Sequence, residues 1–177
     1  MASDEQIDHV LLTREQISAR IDELARQVQH DYCSLSPTLI GVLTGSFVFM
    51  ADLIRRLDIN LRIDFMAVSS YADETVSSGK VRITKDLDHD VAGRHLLIVE
   101  DIIDTGQTLK QLTAVLTERC PASIRICCLL DKPSRRVVEI SADYTGFTIP
   151  DAFVVGYGLD YAQAYRNLPH IAVLRPQ

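Results

Sequence analysis

Leu96-Leu97-Ile98-Val99-Glu100-Asp101-Ile102-Ile103-Asp104-Thr105-Gly106-Gln107-Thr108-Leu109 is the stretch that decides the fold. Leu96 to Val99 form a short continuous apolar run, the pattern of a parallel strand covered on both faces. Three carboxylates follow within five positions, Glu100, Asp101 and Asp104. A turn, Thr105-Gly106-Gln107-Thr108, then leads into helix-compatible sequence from Leu109. Parallel sheets gather their ligands at the C-terminal ends of the strands. A turn entering a helix there offers a phosphate free backbone N–H groups and the positive end of the helix dipole. Gly106 permits close backbone approach, and the two Thr hydroxyls add donors. Carboxylates alone repel phosphate, so their natural partners are sugar hydroxyls and a divalent cation. Asp104 is also placed to cap the following helix through its side chain.

Working outward, strands alternate with helices. Thr13 and Gln16 have the spacing of a capping box, and Ile17, Ile21, Leu24 and Val28 mark one helical face behind them. Pro37 to Leu43 reads as an apolar strand ending at Thr44-Gly45-Ser46, Phe47 to Leu57 as a buried helix, and Leu61 to Val68 as a strand. Ser69 to Lys80 is polar and small, the composition of a functional or mobile loop. A strand over Ser123 to Leu130 and short final strands at Phe153 to Val155 and Ile171 to Leu174 complete the pattern. This alternation predicts an α/β fold with a mostly parallel central sheet flanked by helices. One domain over residues 1–177 is expected, with a small cap built from the terminal segments.

Composition narrows the function. The chain has 177 residues, 47% of them hydrophobic, which suits a globular domain with a sizeable core. Its 18 basic against 24 acidic side chains give a net charge of −6, which disfavours a nucleic-acid partner but leaves room for small phosphate ligands. The N-terminus has no secretory pattern, and no apolar run approaches the ~20 residues that span a bilayer, so a soluble cytoplasmic protein is expected. Cys33, Cys120, Cys127 and Cys128 form no CxxC pair, and adjacent Cys127 and Cys128 point to opposite faces of their strand. The five histidines have no metal-ligand spacing. Ser77-Ser78-Gly79-Lys80 lacks the first Gly of a P-loop, and Gly156-Tyr157-Gly158 lacks the third Gly of a dinucleotide fingerprint.

The segment from Glu100 to Thr108 resembles the signature of the type I phosphoribosyltransferases, which bind 5-phosphoribosyl-1-diphosphate. The resemblance implies that Glu100 and Asp101 hold the ribose hydroxyls and that Thr105, Gly106, Gln107 and Thr108 hold the 5′-phosphate. From about Ile40 to Leu174 it sharpens to the 6-oxopurine branch, the hypoxanthine-guanine phosphoribosyltransferases, through four separated loops. Leu43-Thr44-Gly45-Ser46-Phe47 is similar to the family's diphosphate loop, which carries a cis peptide, although Thr44 stands where many members have Lys. Ser70-Tyr71 is similar to the Ser-Tyr pair of the family's mobile lid, which closes over the reaction centre. Asp104 takes the place of the general base near purine N7. By the same resemblance Lys132 donates to the purine 6-oxo group, Phe153 stacks on the base and Val154 meets its polar edge. Asp160, with Glu100 and Asp101, is implied as the Mg²⁺-associated set, and Arg166 as the basic residue near diphosphate. The resemblance thus implies purine salvage by a Mg²⁺-dependent homodimer or homotetramer. A xanthine-preferring member and a ligand-sensing regulator on the same fold are the alternatives.

Overall fold

The computed structural model describes residues 6–70 and 81–175. The central sheet has six strands in the order β4-β3-β2-β5-β6-β7: β2 (Thr38–Leu43), β3 (Arg62–Ser70), β4 (Val81–Lys85), β5 (His95–Ile103), β6 (Ser123–Asp131) and β7 (Tyr144–Thr148). All neighbours pair in parallel except the edge pair β3 and β4. A second, antiparallel sheet in the order β1-β9-β8 joins the terminal segments: β1 (Ile7–Leu12), β8 (Val154–Val155) and β9 (Ile171–Leu174).

Helices cover both faces of the central sheet. Helix α1 (Arg14–Tyr32) starts at the expected capping box, where Thr13 and Gln16 satisfy each other's backbone amides. It packs with α2 (Phe47–Ile54) on one face, where Ile17, Ile21, Leu24, Val28, Phe49 and Leu53 join Leu39, Leu97, Val99 and Cys127. Helix α3 (Gln107–Thr117) packs Leu109, Leu112 and Leu116 on the other face against Ile40, Ile98, Ile126 and Cys128. Cys127 and Cys128 therefore enter opposite core layers, as the period of a strand requires. Both are buried thiols, and burial pushes the Cys128 pKa up to about 12.

Several boundaries differ from expectation. Strand β2 begins at Thr38, because Pro37 has no N–H and contributes only its carbonyl, to Arg62 N. Helix α2 stops at Ile54, short of Leu57. Strand β5 does not end at Val99 but continues to Ile103, because β6 goes on pairing with it: Glu100 lies opposite Cys128 and Ile103 opposite Asp131. Glu100 and Asp101 are thus strand residues, fixed by the sheet rather than carried on a loop. Helix α3 opens at Gln107, two residues earlier than Leu109. Phe153 lies just outside β8, and β1, β4 and β7 are additional strands.

Candidate active site

The ends of β2, β5 and β6 and the segment around β8 bring the expected residues to the C-terminal edge of the central sheet. Adjacent strand positions place Glu100 and Asp101 on opposite faces. Asp101 lies against the loop after β2: a Cβ on Gly45 would sit 1.6 Å from Asp101 Oδ2, so only glycine fits beside that carboxylate. The peptide between Leu43 and Thr44 is cis, and the Thr44 side chain is exposed. Burial raises the Asp101 pKa to about 6, with Ile102 N and its own amide working in the other direction. The charge of Arg166 lowers it further and that of Asp160 raises it. Arg166 is itself fixed, donating to Gly158 O at 2.7 Å and pairing with Asp160 at 2.6 Å.

Glu100 faces the α3 side. Its Oε2 is buried with no hydrogen-bond partner among the described residues, and burial, reinforced by Asp101, pushes its pKa well above the usual carboxylate range. A buried acceptor of this kind costs free energy until a ligand supplies a donor.

The turn from Asp104 to Thr108 leaves the amides of the first turn of α3 almost unengaged. Gly106 is the N-cap at φ 81°, a left-handed backbone, and no side chain caps the helix there. Thr105 Oγ1 lies 3.4 Å from Gln107 N. Asp104 does not cap α3, contrary to the alternative role its position offered. Instead its Oδ1 lies 2.8 Å from Arg135 Nε, an ion pair out of line for a hydrogen bond.

Lys132 follows β6 directly and is only 6% exposed. Its Nζ donates to Ala152 O at 2.6 Å, so the ammonium lies next to Phe153 and Val154. Val154 is buried in β8, whereas Phe153 is 56% exposed, its ring edge-on to Tyr161 at 5.6 Å. A large aromatic left open beside a buried cation is a surface prepared for a flat, polar-edged ligand. Ser70 ends β3, and Tyr71 with the rest of the expected lid lies outside the described residues.

An anion-ready helix start, two strand-borne carboxylates and a lysine–aromatic pair thus share one sheet edge. Residues 10–162 match the phosphoribosyl transferase domain. The chain belongs to this family. Hypoxanthine-guanine phosphoribosyltransferase of Streptococcus pneumoniae (strain ATCC BAA-255 / R6) is 52% identical over 98% of the chain and 97% of its own length. The protein of the same name from Bacillus subtilis (strain 168) is 54% identical over 96% of the chain and 94% of its own. A crystal structure of a hypoxanthine phosphoribosyltransferase from Staphylococcus aureus superposes with TM-score 0.94 at 49% identity, covering 99% of this chain and 97% of that one. This phosphoribosyltransferase also carries residues at the site that sequence reasoning passed over. Arg135 and Asp151 lie 3.5 Å apart beside Asp104, and Arg136 pairs with Asp131 with its side chain packed against Gly106. Arginines in a Lys-Pro-Ser-Arg-Arg turn give no periodic or motif signal of their own. Among the described residues no helix is long and apolar enough to cross a membrane.

Proposed function

We infer that this phosphoribosyltransferase serves purine salvage, transferring the phosphoribosyl group of 5-phosphoribosyl-1-diphosphate to N9 of hypoxanthine or guanine. IMP or GMP and diphosphate are the products. The observation that carries this reading is the likeness, over nearly the whole chain, to relatives named for hypoxanthine and guanine. Those names favour hypoxanthine and guanine over xanthine as the accepted base, and they favour an enzyme over a sensor.

In this reading the 5′-phosphate accepts from the first-turn amides of α3 and from Thr105 and Thr108, supported by the absence of any side-chain cap at Gly106. Glu100 and Asp101 accept from the ribose hydroxyls, supported by the partnerless Glu100 Oε2. The base enters between Phe153 and the ribose site, its 6-oxo group taking the Lys132 ammonium from Ala152 O and its polar edge meeting Val154. A 6-amino group meets that donor with another donor, which disfavours adenine. Asp104 receives the purine proton as N9 attacks C1, and its negative charge stabilises the oxocarbenium-like sugar. Thr44, Gly45 and Arg166 face the diphosphate, and closure of the Ser70-Tyr71 lid excludes water that would intercept the cation.

Among the described residues no three His, Cys, Asp or Glu side chains gather to cage a metal by themselves. Phosphate sites hold Mg²⁺ through one or two carboxylates while substrate and water supply the other oxygens. Asp160, with Glu100 and Asp101, offers the hard oxygen donors; when bound, the ion neutralises the leaving diphosphate. The reading takes the enzyme as a cytoplasmic homodimer or homotetramer.

The test is to assay the purified chain with Mg²⁺, phosphoribosyl diphosphate and each of hypoxanthine, guanine, xanthine and adenine. Turnover with hypoxanthine or guanine and none with adenine is expected. A clear preference for xanthine, or turnover with none, overturns the assignment.

A further inference from the structure

The amides that open α3 attract any nearby anion, and the anion nearest along the chain is the protein's own Asp104. Carboxylates just ahead of a helix commonly settle on such amides. Here Asp104 is drawn the other way. Arg135 Nε lies 2.8 Å from Asp104 Oδ1, and Arg135 Nη1 lies 3.5 Å from Asp151 Oδ1, so one guanidinium spans the phosphate turn and the segment leading to Phe153. The position of Arg135 is built by the backbone. It ends the 3-10 turn Pro133–Arg135, its amide donating to Lys132 O at 3.1 Å. Just beyond it, Val137 N donates to Thr105 O at 3.1 Å, and the Arg136 side chain packs where a Cβ on Gly106 would lie. The turn after β6 is therefore tied to the phosphate turn at several points, with Arg135 directed at Asp104.

We propose that Arg135 is a positioning residue that holds the Asp104 carboxylate off the N-terminal amides of α3, keeping them open for the 5′-phosphate. This rests on the reading of the site given above. A carboxylate tethered two residues before the N-cap competes at high effective concentration for the donors the phosphate needs. Each fraction of time it spends there lowers the apparent affinity for the sugar phosphate by the same fraction. Arg135 removes that competitor and leaves Asp104 beside the base, where its chemistry is required.

The test is a double-mutant cycle on the full chain, with phosphoribosyl diphosphate and Mg²⁺ titrated by calorimetry into wild type, Arg135→Ala, Asp104→Ala and the double variant. Binding is the readout, so loss of turnover in the Asp104 variants does not matter. Both side chains are more than 40% exposed, so the folds are expected to survive. Arg135→Ala should weaken binding about five- to tenfold, as expected if Asp104 then occupies the amides most of the time. In the Asp104→Ala background the same change should cost less than about twofold, because the competitor is gone. Arg135→Lys, which keeps the charge, should recover much of the wild-type affinity. Equal weakening in both backgrounds would mean that Arg135 meets the phosphate directly, and the proposal fails. No weakening in either background also sinks it. A wild type that turns over oxopurines normally in those cases leaves the functional reading standing; a wild type that does not bind the sugar diphosphate overturns both.

Discussion

In the proposed function a single buried cation, Lys132, sets substrate choice. Its ammonium is 6% exposed and already takes a carbonyl, Ala152 O, at 2.6 Å. In that proposal a purine 6-oxo group, of the same polarity, replaces or shares that acceptor at little desolvation cost. A charge-assisted hydrogen bond contributes about 1.5–3 kcal/mol, so Lys132→Ala should raise the KM for hypoxanthine or guanine on the order of 10- to 100-fold. Discrimination against adenine should narrow at the same time. Steady-state kinetics with both base types check this; an unchanged KM and an unchanged adenine ratio would remove Lys132 from base recognition. At this scale the sequence was largely readable, because Glu100 to Thr108 is a contiguous motif whose residue types state their chemistry. Arg135 was not readable. Its partner Asp104 precedes it by a whole helix and strand, and only the fold brings the two together.

Among the elements, α1 owes its place to polar anchoring as well as to its apolar face. Arg20 donates to Gly146 O at 2.8 Å and to Thr145 O at 2.7 Å, and Asp31 accepts from Tyr144 Oη at 2.7 Å. All three hydrogen bonds tie the first helix to β7, an edge of the central sheet. Arg20→Ala leaves two edge-strand carbonyls without their donor, and should lower unfolding free energy by about 1–3 kcal/mol while leaving kcat unchanged. Urea denaturation beside the standard assay decides it: intact stability would show that apolar packing alone seats α1. The elements missed from sequence share a physical cause. Strand β7, Tyr144-Thr145-Gly146-Phe147-Thr148, is short and centred on a glycine. Its value as a strand appears only beside β6, where a Cβ at Gly146 would lie 2.3 Å from Leu129 O. Strand β1 is largely exposed along its length, so its residues give no burial pattern, and its partner β9 lies at the opposite end of the chain. The apolar run of β5 stops at Val99, where Glu100 and Asp101 interrupt it, so hydropathy marks only part of the strand. Pairing with β6, not side-chain hydropathy, carries it through.

Across the whole molecule, the site is a cost that the rest of the fold carries. Two adjacent carboxylates are built into the end of a central strand, where burial raises both pKa values, that of Asp101 from 3.8 to about 6. A carboxyl whose folded pKa is raised binds more protons folded than unfolded, so the folded state is favoured at low pH and loses that advantage as pH rises. For Asp101 the advantage is full below about pH 4 and gone above about pH 6, a difference on the order of 3 kcal/mol. Glu100, raised by burial and by Asp101, extends the loss in the same direction. Asp101→Asn should therefore stabilise the protein, measured without substrates at pH 7–8, on the order of 1–3 kcal/mol and flatten its stability between pH 4 and 7. The same change should abolish the rise in Tm that phosphoribosyl diphosphate with Mg²⁺ gives the wild type, because binding to the native state alone is what raises it. Thermal melts across that pH range, with and without the sugar diphosphate, separate the two effects. A wild type whose Tm does not fall from pH 4 to 7 relative to Asp101→Asn would show that Asp101 is not strained by burial. A variant that keeps the full ligand-induced rise would show that Asp101 does not hold the ribose.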